Sequence, residues 1–259
     1  MAKWLRYTHK GVEGFGTLNG DTIAVHEGDM LAGATVTGQS LALADVAPCV
    51  PVRPGKIVAL WNNSRSSAEK QKLDPPLAPL YFIKTPNTHL DPEGTIPKPA
   101  SYDGRVIFEA ELGVVIGQRC RDVTPEAAAA AVFGYTCVND VTALQLIRED
   151  PTFPQWSRAK NFDGFTPLGP CIATGIDART LAGAAIRAEL QGRERQNYPV
   201  SDLFFSPLEL VSLLSRDMTL EAGDVISCGT GPGAMPMKPG DRIEISIEGI
   251  GTLGNTYGA

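Results

Sequence analysis

Between Arg105 and Gly117 the chain reads Arg-Val-Ile-Phe-Glu-Ala-Glu-Leu-Gly-Val-Val-Ile-Gly, an apolar, β-branched run broken only by two glutamates. Such residues favour an extended strand, whose side chains alternate between two faces. Phe108, Ala110, Leu112, Val114 and Ile116 then share one face, and Glu109 and Glu111 share the other with Ile107, Gly113 and Val115. A strand apolar on both faces is covered on both, so this one belongs inside a layered β structure and takes its glutamates with it. Two buried carboxylates about 7 Å apart, twice the rise per residue of a strand, are costly unless paired or metal-bound. Pattern alone also leaves open a half-exposed strand with solvated glutamates. Arg242-Ile243-Glu244-Ile245-Ser246-Ile247-Glu248 supplies a contrast. There isoleucine alternates strictly with polar residues, and the glutamates are expected to face water.

A third carboxylate joins the first two. Asp140 follows Tyr135-Thr136-Cys137-Val138-Asn139, a β-prone run, and stands at its end, where functional groups gather. An ordinary Asn-Asp turn is the plain alternative. Taken together, Glu109, Glu111 and Asp140 form an all-oxygen set, suited to Mg²⁺, Mn²⁺ or Ca²⁺ rather than zinc. The five cysteines are scattered without a Cys-x-x-Cys spacing, and the three histidines (His9, His26, His89) lie far apart. That usage fits reduced thiols in a cytoplasm and argues against a zinc site or a disulfide framework.

The chain has 259 residues and a net charge of −6. No cluster of Lys and Arg suited to phosphates appears, so nucleic acid is not an expected partner. No apolar run is long enough to span a bilayer and the first residues carry no signal-peptide pattern, so no membrane role is expected.

Residues 1–52 read as a small N-terminal β domain, with turn chemistry at Lys10-Gly11 and Asn19-Gly20-Asp21. Pro48, Pro51 and Pro54-Gly55 mark a soft boundary, and residues 53–259 form the larger, catalytic domain. Lys56–Leu60 and Leu80–Lys84 read as strands. Thr124-Pro125-Glu126 followed by an alanine run predicts a helix to Val132, with Gly134 at its exit. Ala143–Arg148 and Pro207–Leu214 are shorter helix candidates, and Asp224–Leu253 returns to β. The class is β-rich α+β.

On these residues the chain resembles the fumarylacetoacetate hydrolase family. Phe108–Gly117 is similar to the family's E-x-E-L-x-x-V-I-G strand, and Gly134–Ala143 to its G-Y-x-x-x-N-D-V-T/S segment. Lys160–Pro170 resembles the K-x-F-D-x-F-x-P-x-G-P stretch, and Gly223–Gly233 the G-D-V-I-x-T-G-T-P-x-G loop. The resemblance implies a mixed β-sandwich/β-roll, a divalent cation (Mg²⁺, or Mn²⁺ or Ca²⁺) on Glu109, Glu111 and Asp140, and a homodimer. It implies that Lys160 is a catalytic residue, the electrostatic partner of the developing charge, that Thr230, Gly229 and Lys84 bind a small oxo-acid substrate, and that the metal stabilises an enolate beside a carbonyl.

One segment departs from the family. Val58–Glu69 aligns with A-L-G-x-N-Y-x-x-H-x-x-E, so that Ser66 stands where a histidine is usual and Glu69 remains as a proton carrier. A hydroxyl has no pKa near neutrality and cannot replace imidazole as a base; His89 would have to reach in from another loop. The expectation is therefore an isomerase or decarboxylase of 2-oxo or 2-hydroxymuconate-type dicarboxylic acids in aromatic-compound catabolism. A C–C bond hydrolase of the fumarylacetoacetate/acylpyruvate type and a non-catalytic oxo-acid binder are the alternatives.

Overall fold

Alternating side chains become two sheets with a core between them in the computed structural model, which describes residues 1–258. The large sheet runs, edge to edge, through Gly33–Ala42, Thr22–Asp29, Val12–Asn19, Ala2–His9, Thr166–Thr174, Val132–Asn139, Ala110–Ile116, Val225–Ser227, Ile57–Trp61 and Leu80–Lys84. The smaller sheet is ordered Arg193–Pro199, Ala185–Leu190, Arg242–Ile247, Gly251–Tyr257 and Thr95–Ile96. Helices are few and short, as the β-rich α+β reading expects.

The N-terminal strands form a meander. The first hairpin turns at Lys10 and Gly11, both at positive φ, between the paired residues His9 and Val12, as two-residue hairpin turns require. This meander is continuous with the main sheet, because Ala2, Lys3 and Trp4 pair with Thr174, Ala173 and Ile172.

The acidic strand lies in mid-sheet, antiparallel to Val132–Asn139 on one side and to Val225–Ser227 on the other. Leu112, Val114 and Ile116 join one apolar cluster with Ile186, Ile243, Ile245 and Leu253 of the smaller sheet. Val115 joins a second cluster on the opposite face with Val138, Leu168, Ile172 and Val225. Both faces are covered, which is why Glu111 is buried.

The segment differs from one continuous strand over 105–117. Val106–Ile107 pairs separately with Thr142–Ala143, and the ladder of the large sheet starts only at Ala110. The break at Phe108-Glu109 is held by Asn139, whose Oδ1 accepts from the Glu109 N–H at 3.1 Å, and by the Asp140 N–H, which donates to the Glu109 carbonyl at 3.0 Å.

The Thr124 hydroxyl caps a helix over Pro125–Ala131, accepting from the Ala127 N–H at 3.3 Å. The chain then enters a strand directly at Val132, so Gly134 sits in that strand and does not end the helix. Pro207–Asp217 is helical behind a Ser206/Glu209 capping box, and Leu144–Arg148 is a 3-10 helix. Three further short helices, Arg65–Gln71, Trp156–Lys160 and Ala178–Gly183, are too short to show an apolar stripe in sequence. Among the described residues no helix is long and apolar enough to cross a membrane. All five cysteines are buried and unpaired.

Candidate active site

Antiparallel register assembles the carboxylates. Ala110 pairs with Asn139 and Glu111 with Val138, so the residue after Asn139 falls opposite the residue before Ala110. Glu109, Glu111 and Asp140 thereby bring one oxygen each within 4.8 Å of one another. Glu111 and Asp140 are buried, and the Glu109 side chain is 15% exposed.

Two lysines hold the group together. Lys160, at the end of the Trp156–Lys160 helix, donates to Glu109 Oε2 and Asp140 Oδ2, both at 2.5 Å. Lys84, fully buried at the end of its edge strand, donates to Asp140 Oδ1 and to the Phe165 carbonyl, the latter at 2.8 Å. The Phe82 ring lies under the Lys160 ammonium, 5.0 Å from its centroid. Glu111 is held from behind: its Oε2 accepts from Ser227 Oγ at 2.6 Å and from the Gly229 N–H at 2.8 Å. Its Oε1 has no hydrogen-bond partner among the described residues.

Burial, reinforced by the charges of Asp140 and Glu109, pushes the Glu111 carboxyl up to about 8. Burial also raises Glu109, with Lys160 opposing it. Burial works against the charge of Asp140 as well, yet Lys160 and Lys84 overcome it and hold that carboxyl below its ordinary range. Burial lowers Lys84. For Lys160 burial is outweighed by Asp140, Glu109 and Glu111, and its ammonium is held above the usual range. One acid therefore keeps its charge easily, and two keep it only with help.

A divalent cation fits this donor set. Two oxygens bound to one hard ion lie at most about 4–5 Å apart, twice the metal–oxygen distance. The three carboxylates meet that limit, and Glu111 keeps one oxygen unengaged.

Glu109, Glu111 and Lys160 open onto a cavity of about 490 Å³, with Asp140 buried behind them. Glu109, Glu111, Lys160 and Thr230 line it, together with Leu60, Trp61, Phe82 and Trp156, and the Gly231–Gly233 loop closes one side. Lys84 and Gly229 do not line it; they act one layer behind, on Asp140 and Glu111. Thr230 Oγ1 is tied to the Ala110 carbonyl at 3.1 Å and receives Gln196 Nε2 at 2.9 Å. A second, apolar cavity of about 370 Å³ shares Trp61, Phe82, Ile147 and Trp156 with the first.

The Arg65–Gln71 helix presents Ser67, Lys70 and Gln71 to the cavity. Ser66 is turned to Asp202, donating from its hydroxyl at 2.7 Å, and Glu69 is exposed and outside the lining. Asn63 explains the difference. It is buried and bonded to the Cys228 and Phe205 carbonyls at 2.8 and 3.2 Å, and with Ala59 and Leu60 it also matches the A-L-x-x-N spacing of A-L-G-x-N-Y-x-x-H-x-x-E. Setting the motif on Ala59, Leu60 and Asn63 shifts its register by one residue. Ser67 then takes the histidine position, and Lys70 takes the glutamate position. His89 is not among the lining residues.

Gln196 and Tyr198 are site-building residues that no sequence signal marked. Gln196 accepts from the Ala110 N–H at 3.0 Å and donates to the Gly231 carbonyl at 2.8 Å, and Tyr198 donates to the Ala110 carbonyl at 2.6 Å. They clamp the acidic strand to the glycine loop.

Residues 56–257 match the family described as fumarylacetoacetate (FAA) hydrolase C-terminal. The chain belongs to the fumarylacetoacetate hydrolase family. Residues 2–47 match a second family, described as Rv2993c-like, N-terminal. Among relatives, the chain is 37% identical over 201 residues to the 4-hydroxyphenylacetate degradation bifunctional isomerase/decarboxylase of Salmonella dublin, covering 78% of this chain and 46% of that protein. It is 34% identical over 227 residues to the oxaloacetate tautomerase YisK of Bacillus subtilis, covering 83% and 74%. The solved 2-hydroxyhepta-2,4-diene-1,7-dioate isomerase of Mycobacterium marinum superposes with a TM-score of 0.90 at 32% identity, covering 100% of this chain and 98% of that one. Members of this family so named are enzymes, and the acidic triad of this chain is a candidate site for the divalent metal that the family generally binds.

Proposed function

We propose that this protein is a divalent-metal-dependent enzyme that isomerises, tautomerises or decarboxylates 2-oxo or 2-hydroxymuconate-type dicarboxylic acids. The observation that carries the reading is the convergence of Glu109, Glu111 and Asp140 beside a cavity that Glu109, Glu111 and Lys160 line. Glu109, Glu111 and Asp140 would hold Mg²⁺, with Mn²⁺ or Ca²⁺ as substitutes. When bound, such an ion supplies Lewis-acid stabilisation of the negative charge that develops beside a carbonyl. Lys160, a permanent ammonium at the same place, adds a preorganised positive charge that needs no rearrangement during reaction. Thr230 and the loop after it shape the substrate's carboxylate end, and Gln196 and Tyr198 keep that loop in position.

Hydrolysis is less well supported than proton or carbon dioxide transfer. It needs a base to activate water, and the Arg65–Gln71 helix offers the cavity a serine, a lysine and a glutamine but no imidazole; proton transfer and decarboxylation depend less on such a base, though they are not free of it. The names of the relatives favour the same choice and support a role in the breakdown of aromatic-ring products. We propose a cytoplasmic homodimer, to be read from its mass in solution.

The test is Mg²⁺-loaded protein on a panel of 2-oxo dicarboxylic acids, following ultraviolet absorbance, carbon dioxide and fragment release in parallel. A spectral shift or carbon dioxide release that chelation abolishes is expected. Cleavage of acylpyruvates without either signal selects the hydrolase, and saturable binding without turnover selects an oxo-acid binder.

A further inference from the structure

The cavity is graded from buried to exposed, and its charges follow that grade. At the base, three carboxylates face two buried lysines. A divalent ion there turns an excess of one negative charge into an excess of one positive, enough for one carboxylate of a substrate. The middle is apolar: Trp61 and Trp156 have ring centroids 5.7 Å apart, and Phe82 stacks on Trp156 at 5.4 Å. At the rim stand Lys70 and Arg105, both exposed and both lining the cavity. Neither side chain has a carboxylate partner among the described residues, in a chain whose net charge is −6.

Resting on the oxo-acid reading above, we infer that Lys70 and Arg105 are specificity-determining residues that hold the distal carboxylate of a dicarboxylic substrate. The apolar middle takes the carbon chain, whose hydrocarbon surface gains from leaving water. The first carboxylate goes to the base, and the second, which could not be desolvated against rings without a partner, meets two cations at the rim. Lys70 occupies the position where the motif carries glutamate, so this helix contributes a positive charge where a negative one is usual. A carboxylate there would repel a dianion; the lysine attracts it. A monocarboxylic oxo acid would leave the rim cations without a counterion and gain nothing from them.

The experiment is calorimetric binding in the presence of Mg²⁺, comparing 2-oxoadipate with 2-oxohexanoate, acids of equal length that differ by the distal carboxylate. Wild-type protein should prefer the diacid by about tenfold or more. Lys70→Gln and Arg105→Gln should each weaken the diacid about fivefold, the scale of a partly exposed ion pair, and weaken the monoacid less than about twofold. Lys70→Glu should weaken the diacid further, and Lys70→Arg should keep the preference. Equal affinity for the two acids in wild type, or parallel losses for both acids in the variants, overturns the inference and leaves the oxo-acid reading standing. Wild-type protein that binds neither acid overturns both.

Discussion

Two strands of this molecule carry a glutamate among apolar residues, and only one of them makes a site. In Arg242–Ile247 the isoleucines pack into the core while Glu244 stays half exposed, 3.1 Å from Arg242. In the acidic strand Glu111 is 1% exposed and held by Ser227 and Gly229. What differs is the face that carries the glutamate, half exposed in the first strand and covered in the second. Val115, next but one beyond Gly113 on the Glu111 face, packs with Val138, Leu168 and Val225, so water is excluded along that side. A carboxylate in water is solvated cheaply, whereas one behind such a layer persists only with charged or hydrogen-bonded partners.

The sharpest break of this contrast is Asp140→Asn. The substitution removes a negative charge that two buried lysines share. Loss of one member of a buried ionic group costs about 3–5 kcal/mol, so the urea midpoint of metal-free protein should fall accordingly. Mg²⁺ affinity should fall at least about 100-fold, more than the usual effect of losing a supporting residue. An unchanged midpoint together with unchanged calorimetric affinity would sink the account of the site.

Gln196→Leu tests the clamp without touching a candidate ligand. It leaves the Ala110 N–H and the Gly231 carbonyl without their buried partner, at a cost of about 2–3 kcal/mol. Faster exchange of the Ala110 amide hydrogen, which loses its acceptor, should accompany the loss. Unchanged exchange at Ala110 would show that the clamp is dispensable.

The buried charges also reach His89, which does not line the cavity. Burial, and secondarily the Lys84 ammonium, lower this imidazole from 6.5 to about 4. Its Nε2 is buried and without a partner among the described residues. Between those pH values the unfolded chain takes up a proton that the folded one refuses. Stability contributed by neutral His89 is therefore present above pH 6.5 and is lost as the pH falls toward 4. Allowing for partial exposure, the loss is about 1–2 kcal/mol. His89→Asn should flatten that slope in urea midpoints measured across the range, and an identical slope in both proteins would refute the assignment.

Much of the site was legible because its chemistry is written locally. Glu109 and Glu111 share a short segment, and Asp140 closes a strand that pairs with it, so one register suffices to join them. The break at Phe108-Glu109 was not legible, since alternation continues through it and only the Asn139 side chain marks the bend. The facing of Arg65–Gln71 was hidden for another reason. Its cavity side is Ser67, Lys70 and Gln71, all polar, so no apolar stripe fixes the helix face or its register. In Arg193-Glu194-Arg195-Gln196-Asn197-Tyr198 every residue is polar or amphipathic, and nothing in that string singles out the two that are buried. The meander's fusion to the main sheet depends on pairing between residues 2 and 174, beyond the reach of local pattern.

The smallest effect completes the contrast from the exposed side. Glu244→Gln removes one of two acids around Arg242, which keeps paired contacts to Glu93 at 2.8 and 3.0 Å. Exposed pairs contribute about 0.2–1 kcal/mol and are screened by salt. The midpoint should therefore move by less than about 1 kcal/mol, and most of that shift should vanish at high ionic strength. A salt-insensitive loss as large as that of Asp140→Asn would mean that Glu244 is as dependent on its partners as the buried acids, and the distinction between the two strands would fail.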